Sequence, residues 1–404
     1  MRLVPPPGPL RPLAAATFVN TFGNGLFFAG SVLFLTRSVG LTAGQVGVGL
    51  TVAGALGLLA GVPAGHLADR RGAREVLVLL MYGEAAAMTL LVLVHSFATF
   101  LLVASTYTVL DRAASGVRQG VVAAAFPAAE RVRGRAYLRS VTNLGLAIGA
   151  GLAGVALQVD TRPAYLTLIL ADAVTYVLAA GLVRRLPPTV HPATRPANGM
   201  LLALRDRPYV VVTALNGVIS ISYVLLEVGI PLWVTQHTSA PRWTVALLFL
   251  VNTACCVLFQ VRASRGSVDV ASSARAVRTG GLLLAASCLV FAASAGRATG
   301  TAVAVLVLAA LVNVAGELQQ AAGSWGLGFG LAPEDAQSQY QGLFGTGMAA
   351  ASMLGPVVVT ATAIEHGTAG WAVLGALIAV AGVLSVPAAA WAARTRVDVP
   401  VPAG

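Results

Sequence analysis

The sequence contains no lysine, so all 26 of its basic side chains other than histidine are arginines. Charged residues make up 10% of the chain and aromatic residues 6%, and there are three cysteines. Without lysine the chain cannot form the Gly-Lys phosphate loop of nucleotide-binding proteins, which argues against direct use of ATP. Cys255, Cys256 and Cys288 lie in apolar segments without metal-ligand spacing. We therefore expect them to be small buried side chains.

Apolar residues are abundant instead, at 57% of the 404 residues, with a mean hydropathy of +0.81. A soluble core cannot use that much apolar surface, so the composition indicates a polytopic membrane protein. The formal net charge of +11 does not indicate a nucleic-acid partner, because the arginines occupy short gaps between apolar runs.

Apolar runs of roughly 20 residues, long enough to cross a bilayer, occur about twelve times. They lie near 13–36, 44–66, 75–94, 98–126, 136–158, 164–183, 208–234, 243–261, 279–296, 301–325, 339–363 and 371–393. The longest polar gap is rich in proline and lies near the middle of the chain. We predict an all-α membrane protein whose parts are an N-terminal six-helix bundle at 1–183, a cytoplasmic linker at 184–207, a C-terminal six-helix bundle at 208–393 and a cytoplasmic tail at 394–404.

The arginines also set the predicted orientation. With the N-terminus in the cytoplasm, most arginines between spans are cytoplasmic, and the exceptions are Arg37, Arg162, Arg242 and Arg297. The opposite orientation would reverse this asymmetry, against the positive-inside rule. Both termini are therefore predicted to be cytoplasmic, and we expect no removable signal peptide.

A polar run from Gly65 to Arg74 separates the second and third spans, and we expect it to be the turn between them. It resembles motif A of the major facilitator superfamily, G-x-L-A-D-R-x-G-R-[KR], with Ala73 as a departure. The matching residues taken as the gating motif are Gly65, Asp69, Arg70, Gly72 and Arg74. The Asp69 carboxylate can meet the positive end of a neighbouring helix or an arginine. The resemblance implies that Asp69 latches the two halves together in one state of a transport cycle; an ordinary cytoplasmic loop is the alternative.

Ionisable residues inside spans are functional candidates because they are expensive to bury. Asp111, Arg112 and Arg118 lie in the fourth span and resemble motif B of the same superfamily. Either arginine corresponds to the one that this motif places in the cavity. A buried arginine stays protonated, so we expect it to act on a nearby carboxylate or to bind an anionic substrate. A static Asp–Arg network that joins helices is the alternative.

Two further carboxylates, Glu227 and Glu317, lie on the seventh and tenth spans, which line the central cavity in the fold that the resemblance implies. A carboxylate in a low-dielectric cavity can exchange a proton as its surroundings change. We predict proton coupling by Glu317, Asp111, Arg112 and Glu227, and for Glu227 a gate or substrate contact is an equal alternative. Glu84 and Asp172 lie on the third and sixth spans, peripheral in that fold, where we expect internal pairing.

Polar residues on the cavity-lining spans are the candidate substrate contacts. They are Asn20, Asn24, Arg112, Arg118, Tyr223, Glu227, Asn313 and Gln320. Asn20 and Asn24 share one helix face, where such a pair binds substrate or joins helices. On the fifth span, Gly145 and Gly149 belong to a stretch that resembles motif C of drug–proton antiporters, although Ala150 replaces its proline.

The resemblance implies a multi-pass secondary transporter of the bacterial cytoplasmic membrane, most similar to twelve-helix drug:proton antiporters. We predict export of a lipophilic drug or natural product by proton antiport with alternating access, driven by the proton gradient, without a cofactor or a metal. An importer or exporter of one metabolite, such as a sugar or an amino acid, is the alternative. A membrane-embedded enzyme is a distant alternative, and we assign no catalytic residues. The expected partners are the lipid bilayer, the substrate and protons, and we expect a monomer.

Overall fold

The computed structural model describes residues 10–159, 161–188 and 201–397, and these residues form helices and no β-strand. Residues 189–200 of the predicted linker and 398–404 of the predicted tail lie outside the described residues, as do residues 1–9.

Sixteen α-helices occur in the described part of the chain. They are α1 Leu10–Leu33, α2 Ala43–Leu58, α3 Gly61–Arg71, α4 Ala73–Leu90, α5 Phe97–Ala125, α6 Ala128–Val159, α7 Arg162–Val183, α8 Leu202–Arg205, α9 Arg207–Ser220, α10 Ser222–Val224, α11 Ile230–His237, α12 Trp243–Ala263, α13 Val270–Ala292, α14 Thr299–Gly330, α15 Gln337–Val359 and α16 Gly367–Val397. Three π-helical turns continue or join these helices, at Phe34–Ser38, Leu225–Gly229 and Thr360–Ile364.

Eight helical segments of the described chain are long and apolar enough to cross a membrane. Helices α2 and α3, bent by 43° at a short break, add a ninth if they form one span. Helices α1, α5 and α6 are also longer than a span requires, at 24, 29 and 32 residues. In α5 and α6, charged side chains such as Asp111 and Arg131 lower the hydropathy. Together these segments occupy the positions of the predicted spans.

The expectation that the run from Gly65 to Arg74 forms a turn is wrong. Residues Gly61–Arg71 are α-helical, and α4 begins at Ala73. The chain reverses at Gly72, whose backbone φ of 107° is rarely adopted by residues that have a Cβ. Alanine, leucine and arginine favour a helix, so the charged residues extend α3 instead of ending it.

Two other helices begin well before the apolar runs that predicted them. α6 starts at Ala128 and α13 at Val270, because hydropathy marks the apolar part of a helix and not its polar first turns. Asp269 caps α13 by accepting a hydrogen bond from the backbone N–H of Ser272 at 2.7 Å. The hydrogen bonds from Ser272 also hold the pKa of Asp269 below its ordinary value.

The chain folds as two compact units. The first contains the described residues of Met1–Leu202 together with Pro333–Gly345, and the second those of Ala203–Ala332 and Thr346–Gly404. The boundary therefore passes through α15 after Gly345. The predicted bundles at 1–183 and 208–393 divide the chain differently, since they assign residues 333–345 to the second half.

In the first unit, α1 packs against α6 and α7, α2 and α3 against α5, and α4 against α5 and α7. Its main apolar cluster is built around large buried side chains, among them Phe34, Met88, Phe100 and Tyr176. This packing places the polar residues of α4, α5 and α7 in the interior of the unit.

In the second unit, α13 packs against α14 and α16, α9 against α16, and α12 against α14. Trp233 and Trp371 meet edge to face with ring centroids 5.5 Å apart, and Phe291 stacks on Trp371 at 5.4 Å. The Trp233 indole N–H donates to the Phe291 carbonyl oxygen at 3.1 Å, so the buried ring is also satisfied as a polar group.

Candidate functional site

Asp69 lies on the last turn of α3 and caps the start of α15. Its Oδ1 accepts the backbone N–H of Ser338 at 2.8 Å, and its Oδ2 accepts that of Gln339 at 2.8 Å. First-turn amides have no partner within their own helix, and the positive end of the helix dipole favours a carboxylate there. Asp69 thus attaches the beginning of α15 to α3 within the first unit.

Glycines allow the backbones to meet beside this contact. A Cβ on Gly65 would lie 2.6 Å from Cα of Gln339, and one on Gly61 would lie 2.7 Å from the carbonyl oxygen of Gly342. On α5, a Cβ on Gly116 would lie 2.8 Å from Cα of Gly342. Because these distances are too short for a real side chain, α3 and α5 can hold the segment 338–342 this closely only as glycine-bearing helices.

An ion pair lies next to the Asp69 contact. Arg131 of α6 donates from Nη1 to Oε1 of Glu334 and from Nη2 to Oε2, both at 2.9 Å. Its Nε donates to the carbonyl oxygen of Ala123 at 3.0 Å. The pair joins positions far apart in the chain, so no local sequence signal indicates it.

The other residues of the gating motif lie around the reversal at Gly72. Arg74 donates from Nη1 to the carbonyl oxygen of Leu186 at 2.7 Å and pairs with Glu75, with 2.6 Å between Nη2 and Oε1. Arg70 is exposed at the end of α3.

Glu317 is buried on α14, with 7% of its surface exposed. Its Oε2 accepts a hydrogen bond from Nδ2 of Asn252 on α12 at 3.0 Å. Asn313, expected to accompany Glu317, accepts instead from the Ser287 hydroxyl at 3.2 Å. Asn252 and Ser287 are polar residues inside apolar spans, and this is the sequence signal that could have identified them.

Four buried or partly buried side chains of the second unit form a connected set, named here the amide network: Asn216, Tyr223, Gln320 and Ser324. The Tyr223 hydroxyl donates to Oε1 of Gln320 at 3.0 Å, and Nε2 of Gln320 donates to Oδ1 of Asn216 at 3.0 Å. The Ser324 hydroxyl donates to the same Asn216 oxygen at 2.5 Å. The structure therefore brings two predicted substrate contacts, Tyr223 and Gln320, together with two residues that the sequence did not single out.

The remaining predicted contact on the seventh span, Glu227, lies on the π-helical turn Leu225–Gly229 and is exposed. Such turns recur at functional positions of membrane and soluble helices. On α5, Arg112 lies against α2, where a Cβ on Gly57 would be 3.0 Å from its Cγ.

On α1, Asn20 is buried and its Oδ1 has no hydrogen-bond partner among the described residues. Asn24 accepts a hydrogen bond from the Tyr176 hydroxyl at 3.0 Å, and the hydroxyls of Tyr176 and Tyr107 are 2.8 Å apart. The two asparagines of the predicted pair thus have different surroundings.

Three carboxyl groups of the first unit interact electrostatically and are named here the acidic cluster: Glu84, Asp111 and Asp172. Glu84 on α4 and Asp172 on α7 are both 0% exposed, and the charged groups that act on Glu84 are Asp111, Arg118 and Asp172. The expectation of internal pairing is wrong for Glu84, because neither carboxylate oxygen has a hydrogen-bond partner among the described residues. Helix packing, which the sequence does not reveal, brings these residues together.

The fifth-span glycines contact α1. A Cβ on Gly145 would lie 3.0 Å from the Phe18 carbonyl oxygen, and one on Gly149 would lie 3.1 Å from Cα of Gly25. Gly151 and Gly154 have open space around them. Two of the glycines in the antiporter-like stretch therefore form the α1–α6 contact, without the proline of that motif.

No group of three or more His, Cys, Asp or Glu side chains that could hold a metal ion occurs in the described ranges.

Comparison with known proteins identifies the fold. A sequence model described as Major Facilitator Superfamily matches residues 13–356. No curated protein matches the chain in sequence.

Solved structures match over nearly the whole chain. The human organic anion transporter MFSD10 is 17% identical, with a TM-score of 0.67 over 93% of this chain and 99% of that one. A bacterial homologue of the iron transporter ferroportin, in an outward-facing state, is 14% identical, with a TM-score of 0.73 over 95% and 99% of the two chains. The proton:xylose symporter XylE is 13% identical, with a TM-score of 0.71 over 97% and 96%. At these identities the likeness concerns the fold alone.

Proposed function

The chain belongs to the major facilitator superfamily, and on that basis we propose that it exports lipophilic small molecules in exchange for protons. The family and the apolar helices make it a multi-pass membrane protein and a secondary transporter with the all-helical fold of that superfamily. Members of this family are transporters, which supports a non-enzymatic role. The direction of transport, the coupling ion and the substrate class are the proposal.

The observation that carries the proposal is the capping of α15 by Asp69. α15 begins in the first compact unit and continues into residues of the second, and its first turn is attached to α3 by two hydrogen bonds of 2.8 Å. A transporter that alternates between two states needs contacts that form in one state and break in the other. We propose that release of the first turn of α15 from Asp69 accompanies this exchange, with Gly65, Arg70, Gly72 and Arg74 as the rest of the gating motif.

Carboxyl groups on the spans supply the proposed proton coupling. Glu317 is buried on α14 and accepts a hydrogen bond from Nδ2 of Asn252 at 3.0 Å. A buried carboxylate is costly, and we propose that Glu317 exchanges a proton as its surroundings change. Asp111 with Arg112, and Glu227 on its π-helical turn, complete the proposed set.

Polar groups of the second unit are hydrogen-bonded to one another, which favours a lipophilic substrate. In the amide network, Gln320, Asn216 and Ser324 are buried and hydrogen-bonded to one another, which leaves a polar substrate few free groups there. The proposed substrate contacts stay those named above on α1, α5, α10, α14 and the π-helical turn of Glu227.

The second candidate function is transport of one polar metabolite such as a sugar or an amino acid, which would have to displace the mutual hydrogen bonds of the amide network. Amide and hydroxyl groups on facing helices are the partners that a polar solute requires, provided that the solute replaces their mutual hydrogen bonds. Counterflow of labelled sugars and amino acids in proteoliposomes separates the two candidates, because a lipophilic exporter accelerates none of them.

The setting of the protein is also part of the proposal. We place it in the cytoplasmic membrane of a bacterium with both termini in the cytoplasm, on the arginine distribution. We expect no cofactor, no metal and no nucleic-acid partner, energy from the proton gradient, and a monomer in the bilayer.

The test is transport of a lipophilic fluorescent cation by proteoliposomes with and without an imposed pH gradient. We expect the gradient to drive the dye in wild type and in the control variant Glu365→Gln, whose side chain is exposed. Glu317→Gln is expected to abolish gradient-driven transport while retaining partial dye binding, because the amide cannot release a proton. Gradient-driven transport at the wild-type rate in Glu317→Gln would contradict the assignment, and dye movement that ignores both protein and gradient would contradict the proposed substrate class.

A further inference from the structure

We propose that Glu84 and Asp172 form a proton-binding site in the interior of the first unit, linked to α1 through Tyr107, Tyr176 and Asn24. Its part in the transport cycle rests on the proposed proton coupling. The binding of the proton itself can be measured without transport.

The two carboxyl groups are buried without a full set of hydrogen-bond partners among the described residues. Glu84 and Asp172 are 0% exposed, and both carboxylate oxygens of Glu84 as well as Oδ2 of Asp172 have no hydrogen-bond partner in the described part of the chain. An ionised carboxylate without a donor in low-dielectric surroundings is strongly disfavoured relative to the neutral acid. Glu84 therefore carries a proton in this arrangement.

Charged groups of both signs act on Glu84. It interacts electrostatically with Asp111 and Arg118 of α5 and with Asp172 of α7, and the same carboxyl groups act on the hydroxyls of Tyr107 and Tyr176. Three carboxyl groups thus share the neighbourhood of Arg118, and full ionisation would leave excess negative charge. Groups that repel in this way take up and release protons as a coupled set. Arg118 compensates only one of these negative charges, which favours retention of a proton by Glu84.

Residues of α7 connect this region to α1. Oδ1 of Asp172 accepts a hydrogen bond from Thr175 at 3.2 Å, and both side chains lie directly against Gly23. The Tyr176 hydroxyl donates to Asn24 at 3.0 Å and lies 2.8 Å from that of Tyr107. A displacement of α1, or a ligand that takes the Asn24 oxygen, therefore changes the surroundings of the acidic cluster.

Helix packing alone does not require buried carboxyl groups at the positions of Glu84 and Asp172. In the second unit, α13 and α14 correspond to α4 and α5 in the order of spans, and there Ser287 and Asn313 complete a neutral hydrogen bond of 3.2 Å. Neutral side chains thus join the corresponding helices. A buried acid without any donor, as Glu84 is among the described residues, is a cost that a structural role does not explain.

The test is a pH titration of the purified full-length protein, followed by infrared difference spectroscopy of the carbonyl stretch of protonated carboxyl groups. We expect wild type and the exposed-residue control Glu365→Gln to lose one such band as the pH rises. Glu84→Gln should lack that band, and Asp172→Asn should move its midpoint by about one pH unit or more, the scale of a close carboxyl pair. Tyr176→Phe should also move the midpoint, because it removes the hydroxyl between the cluster and Asn24.

Identical titrations of wild type and Glu84→Gln would overturn the assignment. If Glu84→Gln does not fold, identical midpoints in wild type and folded Asp172→Asn would overturn it equally. If the band depends on Glu84 but the protein moves no dye, the proton-binding site stands and the proposed function is wrong. Failure of the site and failure of the proposed function are therefore distinguishable.

Discussion

At the residue scale, Asp69 uses both of its carboxylate oxygens. Each accepts one backbone N–H of the first turn of α15, so the group satisfies two donors that the helix leaves unpaired. An asparagine side chain offers one oxygen and one NH₂ group, and the NH₂ group would face an N–H donor. The contact therefore depends on the carboxylate and not only on the shape of the side chain.

We predict that Asp69→Asn lowers the transport turnover and leaves KM unchanged. Loss of a helix cap costs about 0.5–2 kcal/mol. The ratio of the state held by the cap to the alternative state falls roughly 2- to 30-fold, so fewer molecules complete the cycle. Initial rates over a range of dye concentrations in proteoliposomes measure both constants.

The matched control is Asp269→Asn, which alters the cap of α13 on its own helix, at an exposed position. It should leave turnover unchanged. A changed substrate profile with normal turnover in Asp69→Asn would count against a gating role for Asp69.

At the scale of elements, the start of α15 is held by α3, α5 and α6. Asp69 caps it, glycines of α3 and α5 let it approach, and Arg131 of α6 pairs with Glu334 just before it. The side chain of Arg131 is 10% exposed and that of Glu334 is 72% exposed. Water therefore screens the ion pair from the side of Glu334, and such exposed pairs contribute about 1 kcal/mol or less.

We predict that Arg131→Ala destabilises the protein more than Glu334→Ala. Removing the arginine also removes its hydrogen bonds to the carbonyl oxygens of Ala123 and Phe126 at 3.0 and 3.3 Å. Removing Glu334 removes only the screened ion pair and leaves those hydrogen bonds of Arg131 in place. A double-mutant cycle on thermal unfolding of the purified protein should give an interaction energy of about 1 kcal/mol or less. Equal losses in both single variants, with a much larger interaction energy, would show that the ion pair itself holds α15.

The elements show what could be predicted from sequence. Apolar runs placed the spans because each must bury about 20 apolar residues. They missed the polar first turns of α6 and α13, since hydropathy does not register a helix that extends beyond its apolar part. The motif predicted that Asp69 meets a helix end or an arginine, but which helix depends on packing.

The site was less accessible to prediction, for a physical reason. Gln320 and Asn216, like Glu84 and Asp172, come from helices far apart in the chain, and their contacts arise only when those helices pack. A single polar residue in an apolar span signals that some partner exists, without indicating which one. Glu84 lies on a span that the resemblance implies to be peripheral, yet its side chain is completely buried.

At the scale of the whole molecule, each compact unit contains buried acids of its own. The acidic cluster lies in the first unit, and Glu317 with Asn252 lies in the second. In the proposed mechanism, proton binding and substrate movement are coupled, and thermodynamic coupling must work in both directions.

Proton movement driven by substrate tests the coupling between proton binding and substrate movement. Proteoliposomes with a pH indicator inside are loaded with a lipophilic fluorescent cation and diluted at equal pH on both sides. Valinomycin and equal potassium concentrations hold the membrane potential at zero. We predict that the lumen acidifies as the cation leaves in wild type and in Glu365→Gln, and that acidification is absent in Glu317→Gln. Protein-dependent departure of the cation without any change of internal pH would contradict proton-coupled export.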